Sequence, residues 1–173
     1  MKSLPTFKVI RLTKAILVLT VGIYALLVFF NNVTDYDSNF QFVRHVLSMD
    51  TTFLDNQLMY RAITSPVLHH IAYLTIILFE GLIAFLCLKG SYQLFKHVHA
   101  DGKTFHEAKR LSLIALTCCC LLWFFGFQVV GGEWFAMWMS SKWNGLSSAF
   151  RLVTYMLLVL IFVSLKNDDE SSS

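Results

Sequence analysis

Four long apolar stretches divide the chain, at about residues 15–30, 70–88, 111–130 and 147–165. None alternates polar with apolar residues, and each is near the ~20 residues that a helix needs to cross a bilayer core. Strands of a membrane barrel are about half as long and do alternate. The pattern therefore predicts an all-α membrane protein, a four-transmembrane-helix bundle forming a single domain. Its spans fall at about 12–30, 68–88, 111–130 and 147–165, with a polar tail at 166–173. The first stretch follows Lys2, Lys8, Arg11 and Lys14, as a secretory signal would. It ends in Phe29-Phe30-Asn31-Asn32 without small residues at cleavage-site spacing, so it is read as a retained span.

The segments between the spans carry weaker patterns. In the first loop Phe42, Val43, Val46 and Leu47 recur at helical spacing after Asp37-Ser38, a fitting N-cap, which predicts a helix over 39–49. Leu58, Met59, Ala62 and Ile63 repeat the pattern before Pro66. Both segments are read as short amphipathic helices on the membrane surface or capping the bundle. Gly131-Gly132-Glu133 reads as a turn at the membrane surface. Trp134, Trp138 and Trp143 lie close together in the third loop, as an interfacial aromatic belt would place them, with a ligand cage as the alternative.

Charge sets the orientation. The N-terminal segment holds Lys2, Lys8, Arg11 and Lys14, and the middle loop Lys89, Lys96, Lys103, Lys109 and Arg110. The first loop has only Arg44 and Arg61 against four aspartates, and the third only Lys142. By the positive-inside rule both termini and the middle loop, Lys103 and Ser173 included, are expected in the cytoplasm, with Asp50 and Lys142 outside. The tail from Asn167 on is acidic and expected to be disordered. Composition agrees with lipid as the solvent: 14% of residues are charged, against about 25% in soluble domains. The net charge of +3 says little about nucleic acid, because the basic residues sit beside apolar spans, where polybasic flanks more often contact anionic lipid headgroups.

Chemistry-bearing residues are few. Cys87, Cys118, Cys119 and Cys120 lie in apolar runs without zinc-ligand spacing and read as small packing residues. Glu80 lies inside the second span, where a carboxylate is costly and must face protein or water. It reads as a proton relay, ion ligand or substrate contact, or as a structural group. Arg151, a few residues into the fourth span, is its natural partner, unless it snorkels to the headgroups. Gln128, Thr13, Lys14, Tyr24 and Thr20 are further polar neighbours within reach of the bundle interior. His45, His69 and His70 are ligand or metal candidates, although adjacent helical histidines diverge by about 100°. His97, His99 and His106 read as solvated. No nucleophile elbow, CxxC or phosphate loop occurs, which favours a non-enzymatic role, and no cofactor or metal is expected.

The runs VRHVLSMDTTF (43–53), Arg61-Ala62-Ile63, Glu80-Gly81, and GGEWFAMWMSSKWNG followed by AFR (131–151) carry a resemblance. On them the chain resembles a bacterial family of predicted small integral membrane proteins, catalogued as a domain of unknown function. The resemblance covers nearly the whole chain and implies a four-span inner-membrane protein; it supplies no activity or site. Three functions remain open, in this order. One is an accessory subunit or assembly factor, with another membrane protein or a second copy as partner. The next is a proton-coupled or small-solute transporter using Glu80, although no internal repeat is present. The last is a haem- or metal-binding redox subunit using His69 or His70.

Overall fold

The computed structural model describes residues 4–166, and the expectations for Ser173 and the tail from Asn167 lie outside them. Every regular element among the described residues is helical. Four helical stretches are long and apolar enough to cross a membrane: Thr6–Thr34, Pro66–Lys96, Gly102–Trp134 and Leu146–Ser164. We label the helices α1 (Thr6–Thr34), α2 (Tyr36–Ser48), α3 (Pro66–Lys96), α4 (Gly102–Ala108), α5 (Arg110–Cys120) and α6 (Leu146–Ser164).

Small residues build the bundle seams. α1 turns Ala15, Val18, Gly22 and Ala25 inward, at helical spacing, and leaves Ile16, Leu27 and Phe30 on the outside. Large apolar groups outside and small ones inside is the arrangement lipid favours, because close backbone approach, rather than escape from water, holds membrane helices together. α3 packs antiparallel to α1 through Ile83, Ala84 and Cys87, and Ser91 donates from Oγ to the Ala15 carbonyl at 3.0 Å. Gly90 brings α3 against α5: a Cβ there would lie 2.7 Å from Ser112 Oγ and 2.8 Å from its amide nitrogen.

The end of the bundle that holds the chain termini is closed by cations. Arg11 donates to the carbonyls of Val98 (3.1 Å) and Ala100 (2.6 Å) and stacks on Phe105, while Lys109 donates to the Leu165 carbonyl at 3.0 Å. Lys14 donates to that same carbonyl, where the end of α6 concentrates negative dipole. Arg11, Lys14 and Lys109 are fully buried, so these three are packed struts, not the lipid-facing flanks that their positions in sequence suggested. Asp101 starts α4 by accepting from the Thr104 hydroxyl (2.7 Å) and amide (3.0 Å), bonds that hold its carboxyl below the usual carboxylate range. Of the loop histidines only His99 is exposed; His97 donates from Nδ1 to the Gln93 carbonyl at 2.9 Å, and His106 buries Nδ1.

The third span departs most from expectation. After α5 it continues from Leu121 to Trp134 as 14 residues of wider, π-helical backbone, and Phe135 still donates to Val130 five residues back. The turn expected at Gly131-Gly132-Glu133 is therefore the last turn of this helix. Gly132 is buried there, and a Cβ would lie 2.7 Å from Leu146. The chain reverses immediately afterwards, at Ala136 in the left-handed region (φ 49°).

α2 forms a lid over the opposite end, with Phe40, Val43 and Val46 buried and Phe42 and Leu47 partly so. It begins at Tyr36, three residues before the expected start at Asn39, so Asp37 and Ser38 lie in its first turn, and Ser38 donates to the Asp35 carboxylate at 2.7 Å. The second amphipathic segment contracts to a single 3₁₀ turn, Met59–Arg61, because the chain must come straight back: Ile63 donates to the Leu47 carbonyl at 2.8 Å and α3 starts at Pro66. α3, with 31 residues, is about 46 Å long, well beyond a bilayer core of about 30 Å. Its first turns pack against α2, through Phe40 and Val43 against Tyr73 and Ile77, and meet the end of α1, where the Tyr73 hydroxyl donates to the Asn32 carbonyl at 3.5 Å. The molecule is thus a four-helix bundle with a cap layer on one end.

Candidate functional site

Glu80 lies at the seam between bundle and cap, 3% exposed. Its partner is Asn32, two residues before the end of α1, whose Nδ2 donates to Oε2 at 2.7 Å. Asn39 on α2 donates in turn to Asn32 Oδ1 at 2.6 Å. An ionised carboxylate only accepts, so Asn32 must point its NH2 at Glu80 and its oxygen at Asn39. The three residues form a polar line from the exposed Asn39 into the interior. Among the described residues no basic side chain pairs with Glu80, and Asn32 is its only hydrogen-bond donor.

A cavity of about 370 Å³ stands above this line. Asn39, Asn144 and Ser148, all exposed, frame its mouth; Glu80 and Asn32 form its floor. Tyr73, Trp123 and Phe127 supply aromatic walls, with the Trp123 and Phe127 rings 4.9 Å apart. Below Glu80 lies a void of about 10 Å³, beside Tyr24 and Cys119, room for one water at most. The exposed polar residues of the cavity lining thus all lie on the cap side. Phe42 on α2 divides it from an apolar cleft of about 320 Å³ between α2, α3 and the π-helical segment.

The other residues singled out in the sequence lie elsewhere. Arg151 is exposed and donates to Ser148 Oγ at 3.2 Å, so the expected pair with Glu80 does not form. Its guanidinium turns to Ser148, at the cavity mouth, rather than to the carboxylate on the floor. Arg151→Ala is accordingly expected to shift stability by no more than about 0.5 kcal/mol, read as an unchanged melting temperature in detergent. Lys14 and Thr13 belong to the opposite end, about 27 Å along α1 from Asn32. Thr20 bonds its own helix at Ile16, and Gln128 faces a groove against α6 with its Nε2 buried and unpaired.

The three histidines are not brought together. His45 bonds Asp50 at 2.8 Å and stacks on Trp143; His69, buried, meets the Ile63 carbonyl at 2.7 Å; His70 meets the Tyr36 hydroxyl at 2.8 Å. No set of three metal-ligating side chains converges among the described residues. The tryptophans also separate: Trp134 stacks under Arg61, Trp138 meets Phe53 edge-on, and Trp143 covers His45.

Reading the sequence missed Asn32, Asn39 and the aromatic walls. Asn32 was legible only as the polar end of the first span. A signal was present, since an antiparallel α1–α3 pair that fits Gly22 against Cys87 also brings Asn32 level with Glu80.

Neither a curated protein nor a solved structure matches the chain. A family model described as "Predicted small integral membrane protein (DUF2165)" matches residues 10–166. That match takes in all four spans, the cap and both asparagines, and by it the chain belongs to this family of small integral membrane proteins.

Proposed function

We propose that this protein takes up a small polar solute from the outer side of a cytoplasmic (inner) membrane, in the cavity floored by Glu80, as a small-solute carrier. One observation carries the reading: a buried carboxylate, with no basic side chain paired to it among the described residues, lines a cavity whose exposed polar residues, Asn39, Asn144 and Ser148, lie at the cap end. Burying such a group is costly, and structure alone gives it little in return. In an alternating-access cycle a site of this kind is reached from one face at a time. The basic residues at the terminal end, with Lys96, Lys103 and Arg110 exposed and Lys8 half-buried, favour a cytoplasmic position for both termini.

The role of accessory subunit or assembly factor stands second. It draws on the lipid-facing groove of about 390 Å³ between the π-helical segment and α6, where Gln128 sits among Phe124, Phe150 and Leu157. The haem reading loses ground, because His69 and His70 both have partners already.

Ser148→Cys at the cavity mouth tests the proposal. In intact cells a membrane-impermeant maleimide should label it, and in proteoliposomes the label should block solute-driven uptake from a panel of ammonium ions, zwitterions, sugars and carboxylates. Labelling only after permeabilisation would reverse the orientation. A panel without any label-sensitive uptake would remove the carrier reading.

A further inference from the structure

We infer that the solute held at Glu80 is a small organic ammonium ion; the inference rests on the solute-binding reading above and names its ligand class. Three features of the cavity select the charge and shape of the occupant. The first is the unfilled floor. Glu80 Oε2 takes its one hydrogen bond from Asn32, and Oε1 receives none from the described residues. The site therefore offers acceptor capacity and negative charge, and calls for a donor that carries positive charge. An ammonium group supplies both, in a charge-assisted bond roughly twice as strong as a neutral one.

The second feature is the wall. Trp123, Phe127 and Tyr73 line the same space. Aromatic faces attract organic cations and bury their carbon skeleton, whereas they give nothing to a carboxylate or phosphate. The third is the scarcity of oxygens. A calcium ion takes six to eight oxygen ligands and magnesium about six in near-octahedral order. The floor offers one carboxylate and an asparagine oxygen already bonded to Asn39, the side-chain oxygens of Asn39, Asn144 and Ser148 belong to the mouth, and no set of three metal-ligating His, Cys, Asp or Glu side chains converges among the described residues. A neutral sugar could pair with Asn39, Asn144 and Ser148 at the mouth, but it would leave the charge on Glu80 unmatched. At about 370 Å³ the cavity lies near the small end of ligand pockets, which suits a monoamine with a ring or short chain.

The test uses the full chain in lipid nanodiscs and three ring compounds of one shape: benzylammonium, benzyl alcohol and benzoate. Calorimetry should show benzylammonium binding about tenfold or more tighter than the alcohol, with benzoate weaker still. Glu80→Gln should erase the difference between ammonium and alcohol. Ser148→Phe, which fills the mouth and leaves the floor untouched, should weaken both, and it keeps the test decisive if the Glu80 variant folds poorly. Equal binding of the charged and neutral probes, or a preference that survives Glu80→Gln, overturns the ammonium assignment. If benzoate or glucose binds in a Ser148→Phe-sensitive manner while benzylammonium does not, the ammonium assignment falls and the solute site stands. If no probe binds in that manner, both fall together.

Discussion

Asn32→Leu is expected to destabilise the folded protein by about 2–4 kcal/mol, the largest effect of any single side chain in the site. The reason is asymmetric. Asn32 is the only donor to the buried Glu80 carboxyl among the described residues, and it accepts from Asn39 on the other side. Leucine removes both bonds, and it leaves a carboxyl with nothing but the cavity for solvation. Removing both partners is milder, since an apolar pair leaves no unmet acceptor at the floor. Asn32→Leu/Glu80→Leu should therefore recover a large part of the loss, leaving chiefly the orphaned Asn39 amide, which can turn to water. Glu80→Gln keeps an oxygen for the Asn32 amide and should stay within about 1 kcal/mol of the parent. Reversible unfolding in mixed micelles would give the four corners of this cycle. Additive single losses would show that Asn32 and Glu80 do not depend on one another.

Gly90→Ala carries the second large effect, a loss of about 1–3 kcal/mol from a single methyl group. The new Cβ would sit 2.8 Å from the Ser112 amide nitrogen and 3.1 Å from its Cα, which are backbone atoms that cannot swing away. α3 and α5 would have to separate, and the buried Cys87, Leu116 and Cys119 above the crossing would lose contact with them. Alanine's better helix propensity, worth up to about 1 kcal/mol, opposes this loss without cancelling it. Gly126→Ala is the control. Its nearest neighbour would be 3.9 Å away, on Leu122, and it should leave the melting temperature unchanged or slightly raised. A Gly90→Ala protein as stable as the Gly126→Ala one would mean that the helix crossing is looser than described.

The spans and their helical nature were legible in the sequence, as was the need for Glu80 to be answered. Both rest on a local quantity: the cost of polar backbone or charge in hydrocarbon is paid residue by residue. The α2 lid was legible for the same reason, because Val43 and Val46 repeat at a spacing that one helix face must satisfy. The partner of Glu80 was not. Arg151 was favoured on opposite charge and similar depth. What failed was azimuth: a shift of one residue turns a helical side chain by about 100°, so apolar runs alone do not say which face meets which neighbour.

The sequence by itself determined that this chain dissolves in lipid as four helices, which way its charge asymmetry points, and that one carboxylate lies among apolar residues. Only the tertiary structure decided that α1 stops level with Glu80 while α3 runs on beneath α2, that Asn32 rather than Arg151 meets the carboxylate, and that Arg11, Lys14 and Lys109 are packed inside. Hydropathy is a sum over neighbours in sequence, so a single chain displays it. Helix rotation and register are set by contacts between distant segments, such as Gly22 on Cys87 and Gly90 on Ser112, and these exist only once the bundle has closed.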